Sequence, residues 1–167
     1  DVALVKGSNA RAWDETGKEY IDFTSGIGVN CLGYSDPQWA AAVAKQAGEI
    51  QHMCNYYHSP QNIGLAKELC GAAGMAQGFF CNSGAEANEC AIKIARKYGE
   101  KRGAFKIITL HNSFHGRTLT TLAATGQEAF HRDFLPLTQG FLYAEPGDLE
   151  GIASLMDGSV CAVLLGT

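Results

Sequence analysis

The chain has 167 residues, of which 46% are hydrophobic and 18% are charged, so it is too apolar to be disordered and can form a core. Lysine and arginine total 13 against 17 aspartates and glutamates, a formal net charge of −4. This balance argues against nucleic acid or an anionic membrane as the main partner. No apolar run approaches the ~18 residues of a membrane span, and the first residues lack a signal-sequence pattern.

The six cysteines lie at irregular intervals, and no Cys-x-x-Cys pair occurs among them. This spacing argues against a disulfide framework and against a zinc site. We therefore expect reduced and mostly buried thiols, as in a cytoplasmic protein.

The N-terminal part of the chain predicts short strands followed by helices. Strands are expected at Ala10–Asp14 and Tyr20–Phe23, joined by a hairpin-like turn at Glu15–Lys18. Helices are expected to begin at Asp36-Pro37 and at Ser59-Pro60, because proline suits the first turn of a helix.

From about residue 78 onward, predicted strands alternate with predicted helices. The expected strands are apolar throughout, at Gly78–Asn82, Lys106–Leu110, Phe141–Ala144 and Cys161–Leu165. The expected helices run from Ser83 to Tyr98, over Thr118–Thr125 and over Asp148–Met156. This alternation is typical of a parallel sheet covered on both faces, so the sequence predicts an α/β fold. A boundary near residue 55 is expected to separate an N-terminal segment, 1–55, from the sheet-forming part, 56–167.

Residues 79–89, Phe-Phe-Cys-Asn-Ser-Gly-Ala-Glu-Ala-Asn-Glu, predict a strand, a tight turn and a helix. Ser83 and Glu86 have capping-box spacing, so one interpretation is simply a well-capped helix. The other is a phosphate site, since Gly84 has no side chain to block an anion and the first-turn N–H groups point outward. The Glu86 carboxylate would then have to turn away from the phosphate. The segment alone favours the capped helix and leaves the phosphate site as the alternative.

A second stretch, His111–Thr118, follows a predicted strand and precedes a predicted helix. His111 and His115 have a spacing that suits a metal on a helix, but the intervening residues favour a loop and no acidic or cysteine ligand is near, so no metal is expected. Loops at the carboxyl ends of parallel strands bind ligands in open α/β sheets. Phe114 suits a flat ring and Arg117 a carboxylate, although each residue taken separately is better explained as a core phenylalanine and a surface arginine.

Taken together, these stretches resemble the class III pyridoxal-phosphate-dependent aminotransferases, and within them the acetylornithine branch. The similar segments occur in family order along nearly the whole chain, at residues 13–23, 25–33, 55–61, 79–99 and 114–118. The Asn30-x-Leu32-Gly33 spacing and the Phe-His-Gly-Arg string are most similar to the acetylornithine branch. In one departure, Gly33-Tyr34-Ser35-Asp36-Pro37 replaces the family's Gly-His-x-His-Pro, with no assigned consequence.

The resemblance implies the fold type I architecture, with residues 1–55 as part of the small domain and 56–167 as the first half of the cofactor-binding large domain. Gly84 and Ala85 would bind the phosphate of pyridoxal 5′-phosphate through backbone N–H groups, with Ser83 beside them. Phe114 would stack on the pyridine ring. Arg117 would bind the α-carboxylate of N-acetylornithine and then that of 2-oxoglutarate.

The activity implied is transfer of the δ-amino group of N-acetylornithine to 2-oxoglutarate, in arginine biosynthesis, by a cytoplasmic homodimer. The Schiff-base lysine of the family is expected beyond Thr167, so the chain looks truncated and would hold half of an active site. Two alternatives stay open. One is an ornithine or succinylornithine aminotransferase, and the other is a non-catalytic interaction or phosphate-binding module.

Overall fold

The computed structural model describes residues 1–166, which form two compact units that divide between Glu68 and Leu69. The boundary predicted near residue 55 falls inside the first unit, and the assignment of 1–55 and 56–167 to a small and a large domain stays a prediction. No helix within residues 1–166 combines the length and the apolar character needed to cross a membrane.

The first unit contains a three-stranded antiparallel sheet in the order β1-β2-β3. Its strands are β1 (Leu4–Ser8), β2 (Arg11–Asp14) and β3 (Glu19–Ile21). The structure thus confirms the hairpin of β2 and β3 and adds β1, which the sequence pattern did not predict. Asp14 stabilises the hairpin turn, because its Oδ1 accepts hydrogen bonds from the N–H groups of Thr16 at 2.9 Å and Lys18 at 3.0 Å.

Two long helices follow, α2 (Pro37–Glu49) and α3 (Pro60–Ala73), and both begin at the predicted prolines. Before them, the short segment α1 (Ser25–Gly28) has left-handed backbone angles at Gly26 and Ile27. Asp36, part of the departure from the family pattern, caps α2, since its Oδ1 accepts a hydrogen bond from the Trp39 N–H at 2.8 Å.

The second unit contains a parallel three-stranded sheet in the order β5-β4-β6. Its strands are β4 (Lys106–Leu110), β5 (Phe141–Ala144) and β6 (Val160–Val163). Its helices are α4 (Gly84–Gly99), α5 (Leu119–Ala124), α6 (Glu128–His131) and α7 (Leu149–Leu155). The predicted α/β alternation is confirmed, whereas α6 was not predicted.

The core of the second unit lies on both faces of β4. Successive strand residues point to opposite faces, and Ile107 packs with Ile92 of α4 while Ile108 packs with Ala144 and Val160. The helix α7 covers the Ile108 face through Ile152 and Leu155. The central strand is therefore enclosed, and its carboxyl end at Leu110 gives a fixed starting point for the loop that follows.

The predicted strand at Gly78–Asn82 is wrong. The segment is irregular, and it takes no part in the sheet of the described second unit, whose pairing is β5-β4-β6. A strand needs a hydrogen-bonded neighbour, and without one the apolar character of this segment is insufficient. Phe79 and Phe80 are consequently 65% and 44% exposed.

The expectation of mostly buried cysteines is also wrong. All six are free thiols, but three are exposed and three are only partly buried. Cys31, Cys54 and Cys81, the exposed ones, lie in loops outside the regular helices and strands, where no core is available to cover them.

Candidate functional site

The amino-terminal end of α4 is held by side chains of the turn that precedes it. Ser83 Oγ accepts a hydrogen bond from the Glu86 N–H at 3.2 Å, as an N-cap residue should. The Glu86 carboxylate accepts from the Asn82 N–H at 2.6 Å, one residue further out than in a standard capping box. The acidic side chain is thus engaged by the turn itself.

The first two amides of α4 remain available to a ligand. Helix geometry gives the N–H groups of Gly84 and Ala85 no intrahelical acceptor, and the Ser83 cap serves Glu86 instead. A Cβ added to Gly84 would meet no atom within 4 Å, so open space lies beside this end of the helix. An anion can therefore approach these N–H groups at the positive end of the helix dipole.

The loop between β4 and α5 presents an aromatic ring and a cation. Phe114 is 53% exposed, and its ring centroid lies 5.9 Å from that of Phe130 in an edge-to-face arrangement. The Arg117 guanidinium carbon lies 5.9 Å from the Phe114 ring centre and 5.6 Å from that of Phe130. Arg117 is exposed, and none of the ion pairs found within residues 1–166 includes it.

Phe130 was missed by the sequence analysis. It belongs to the four-residue helix α6, and no periodic pattern in so short a helix could have linked it to the Phe114 loop.

The loop packs directly against the first turns of α4. Gly116 has φ +136°, and a Cβ there would lie 2.9 Å from the Ala85 Cβ and 2.5 Å from Thr121 Oγ1. Asn88 Nδ2 of α4 donates a hydrogen bond to the His115 carbonyl at 2.8 Å. The structure therefore brings together the two stretches that sequence analysis selected separately.

The two histidines of this stretch lie in different surroundings. His115 is buried, its Nε2 lies 2.9 Å from Thr109 Oγ1, and burial lowers its pKa below the ordinary value of 6.5. His111 is partly exposed, with Nε2 3.9 Å from Glu145 Oε1. Within residues 1–166, no group of three or more His, Cys, Asp or Glu side chains is placed to hold a metal ion.

These groups fit a flat, phosphorylated cofactor. Unshielded amides beside open space suit a phosphate, and the exposed Phe114 ring suits an aromatic ring system. Arg117 adds a cation without an acidic partner in the described chain, which suits a carboxylate substrate.

Comparison with known proteins agrees with this chemistry. The family model of class-III aminotransferases matches residues 1–165. Acetylornithine aminotransferases from Haemophilus ducreyi and Caldanaerobacter subterraneus subsp. tengcongensis are each 47% identical to the chain, over 99% and 98% of its length. The chain spans only 43% and 42% of those two relatives.

Solved structures show the same relationship. An ornithine aminotransferase from Toxoplasma gondii, whose active site holds pyridoxal phosphate at partial occupancy, superposes with a TM-score of 0.92 at 29% identity. The superposition covers 98% of this chain and 40% of that one. A Bacillus anthracis aminotransferase gives a TM-score of 0.82 at 34% identity, over 89% of this chain and 34% of its own. The chain belongs to the class-III aminotransferases, a family of enzymes that depend on pyridoxal phosphate.

Proposed function

We propose that this chain is part of an acetylornithine aminotransferase, which moves the δ-amino group of N-acetylornithine to 2-oxoglutarate. The observation that carries the proposal is the packing of Gly116 against Ala85. That contact brings the Phe114–Arg117 loop beside the first turn of α4, so free N–H groups, an aromatic ring and a cation lie near one another in the second unit. The 47% identity with acetylornithine aminotransferases supports this choice of amino donor.

In this proposal, the N–H groups of Gly84 and Ala85 bind the cofactor phosphate, with Ser83 beside them. Phe114 packs on the pyridine ring and excludes water from that face. When bound, pyridoxal phosphate supplies the electron-withdrawing ring that makes exchange of an amino group with a keto acid possible.

Arg117 binds the α-carboxylate of each substrate in turn. A guanidinium can donate two parallel hydrogen bonds to a carboxylate, which fixes both the position and the angle of the substrate. The Phe114 and Phe130 rings lie within 6 Å of the guanidinium carbon and limit its movement. The same residue thus serves N-acetylornithine and 2-oxoglutarate, which share this carboxylate.

We further propose that the complete protein has the small and large domains of fold type I, works as a cytoplasmic homodimer in arginine biosynthesis, and carries its Schiff-base lysine outside these 167 residues. Only the position of the lysine is supported by coverage, since the chain spans 43% of its Haemophilus ducreyi relative and leaves more than half of that protein without a counterpart here.

A second candidate is ornithine aminotransferase, the activity of the Toxoplasma gondii enzyme that superposes with a TM-score of 0.92. A substrate comparison separates the two. The complete protein, saturated with pyridoxal phosphate, is assayed for glutamate formation from 2-oxoglutarate with N-acetylornithine, ornithine or succinylornithine as the amino donor.

We expect the highest kcat/KM with N-acetylornithine. A higher value with ornithine or succinylornithine would replace the proposed donor, and no glutamate with any donor would favour a non-catalytic module. The 167-residue chain assayed in parallel should form no glutamate, because the proposed lysine is not among its residues.

A further inference from the structure

His115 is held at three different atoms by β4, by α4 and by the residue that follows α5. Its Nε2 lies 2.9 Å from Thr109 Oγ1 in β4. Its backbone N–H donates to Thr125 Oγ1 at 2.9 Å, and its carbonyl accepts from Asn88 Nδ2 at 2.8 Å. The residue is only 4% exposed, although Phe114 before it and Arg117 two positions after it are both exposed.

The two threonine hydroxyls that hold His115 are completely buried, with 0% exposure for Thr109 and Thr125. A buried hydroxyl costs free energy unless it is hydrogen-bonded, and valine would fill the same space in an apolar strand such as β4. Thr109 lies between Ile108 and Leu110, so packing alone does not require its hydroxyl. Its closest polar partner is His115, since Ser113 Oγ lies further away at 3.3 Å.

We propose that His115 is a positioning residue, which holds Phe114 and Arg117 in place through its hydrogen bond to Thr109. The inference rests on the proposed function, because it is the ring of the cofactor and the carboxylate of the substrate that these two side chains would meet. His115 itself is buried and acts only through its neighbours. Burial also favours its neutral imidazole, which can make this bond without introducing a charge into the core.

The competing explanation is that His115 and Thr109 only stabilise the core. A matched pair of variants separates the two explanations. Thr109→Val removes the hydroxyl and keeps the shape, whereas Thr109→Ser keeps the hydroxyl and removes a methyl group. Tyr143→Phe is the control, since it removes the 2.6 Å hydrogen bond to the Ala123 carbonyl in the same unit and keeps the aromatic ring that lies 5.6 Å from that of His111.

The experiment uses the complete protein. In the cofactor-free form, hydrogen exchange of the amides of residues 114–117 and the melting temperature are measured. The Kd of pyridoxal phosphate, and the kcat and KM for 2-oxoglutarate, are then measured for each variant.

For Thr109→Val we expect faster exchange in the loop and a rise of about three- to tenfold in both the Kd and the KM, the range for loss of one hydrogen bond. The value of kcat should change less than the KM. Thr109→Ser should stay within about twofold of the wild type in these constants. Tyr143→Phe should lower the melting temperature and leave loop exchange, Kd and KM unchanged.

If Thr109→Val lowers the melting temperature as Tyr143→Phe does, with loop exchange unchanged, the proposal is overturned. Should Thr109→Val fail to fold, His115→Asn and His115→Gln replace the pair, because the glutamine amide nitrogen reaches closer to the position of Nε2. The glutamine variant must then retain slower loop exchange than the asparagine variant, and equal exchange would overturn the proposal. Absence of pyridoxal phosphate binding by the wild type would refute the proposed function, while loop exchange would still decide the role of His115.

Discussion

The two sides of the candidate site are built in different ways. The amino-terminal end of α4 offers backbone N–H groups beside open space, and its cap consists of exposed side chains around Ser83 and Glu86. The loop around His115 depends on buried side-chain hydroxyls and on a glycine that fits tightly between neighbours. The proposed phosphate side should therefore tolerate substitution, whereas the loop should be sensitive to small changes.

The sharpest test of this contrast substitutes alanine for glycine on each side. Gly116→Ala would place a Cβ 2.5 Å from Thr121 Oγ1 and 2.9 Å from the Ala85 Cβ, at a φ of +136° that alanine rarely adopts. We expect a loss of about 2–5 kcal/mol in the free energy of unfolding, from overpacking and backbone strain together. Urea denaturation of the cofactor-free protein measures it.

Gly84→Ala is the matched control. Its Cβ would meet no atom within 4 Å, and alanine is the better helix former by about 0.5–1 kcal/mol. Its free energy of unfolding should change by less than about 1 kcal/mol. Equal destabilisation by the two substitutions would remove the contrast between the two sides.

Arg117→Ala tests whether the loop binds the carboxylate of the substrates. Hydrogen bonds to a charged group are worth about 1.5–3 kcal/mol, so kcat/KM for both substrates should fall by roughly ten- to a hundredfold or more while the cofactor stays bound. Arg117→Lys should recover only part of this loss, because an ammonium group lacks the two parallel donors. Steady-state kinetics of the complete protein decide it. Values within about twofold of the wild type would make Arg117 an ordinary surface residue.

Sequence reasoning could find the two ends of this site separately, but not their contact. Ser83 precedes a helical pattern and Arg117 follows a strand, and both signals are local. The packing of Gly116 on Ala85 joins residues 31 positions apart, and only the fold determines it. The roles of Thr109 and Thr125 were missed for the same reason, since a threonine in an apolar segment is equally compatible with a plain strand or helix end.

The predicted strands show the same limit of reasoning from local sequence. The strand β4 was predicted with its observed bounds because five apolar-rich residues lie between turn signals, and both of its neighbours belong to the same unit. The segment at Gly78–Asn82 is also rich in apolar residues but pairs with no strand within residues 1–166, so its prediction failed. Composition indicates which segments suit a sheet, whereas pairing depends on which partners lie near them.

Substitution of Ser83, at the start of α4, should have a smaller effect on stability. Ser83→Ala removes the bond to the Glu86 N–H and should lower the free energy of unfolding by about 0.5–2 kcal/mol. Ser83→Asp retains a cap of similar strength, but its negative charge should repel a phosphate. We therefore expect Ser83→Asp to keep stability and to weaken pyridoxal phosphate binding, as measured by equilibrium dialysis. Unchanged binding would place the phosphate elsewhere.

The last and smallest expected effect is that of pH. As the pH falls, the loop around His115 should lose stability before the turn held by Asp14 does. Burial lowers the pKa of His115 below 6.5, so its folded form favours the neutral imidazole. The stabilisation that neutral His115 contributes is fully present above pH 6.5. It is lost as the pH falls through the lower pKa that His115 has in the folded protein. Hydrogen bonds from Thr16 and Tyr20 lower the pKa of Asp14 from 3.8 to about 2, so its contribution persists until the pH falls below 3.8.

Hydrogen exchange of the loop amides, corrected for the intrinsic effect of pH, should therefore accelerate in the wild type as the pH falls below 6.5. His115→Gln should flatten this dependence, because its amide does not titrate, and Asp14→Asn should leave it unchanged in the same interval. The Glu86 N–H provides the internal comparison, since the Ser83 hydroxyl that accepts its hydrogen bond does not titrate in this range. The contradicting result would be a parallel loss of exchange protection in the first turn of α4 and in the loop. The two sides of the site would then respond to acid as one structure, despite their different hydrogen bonding.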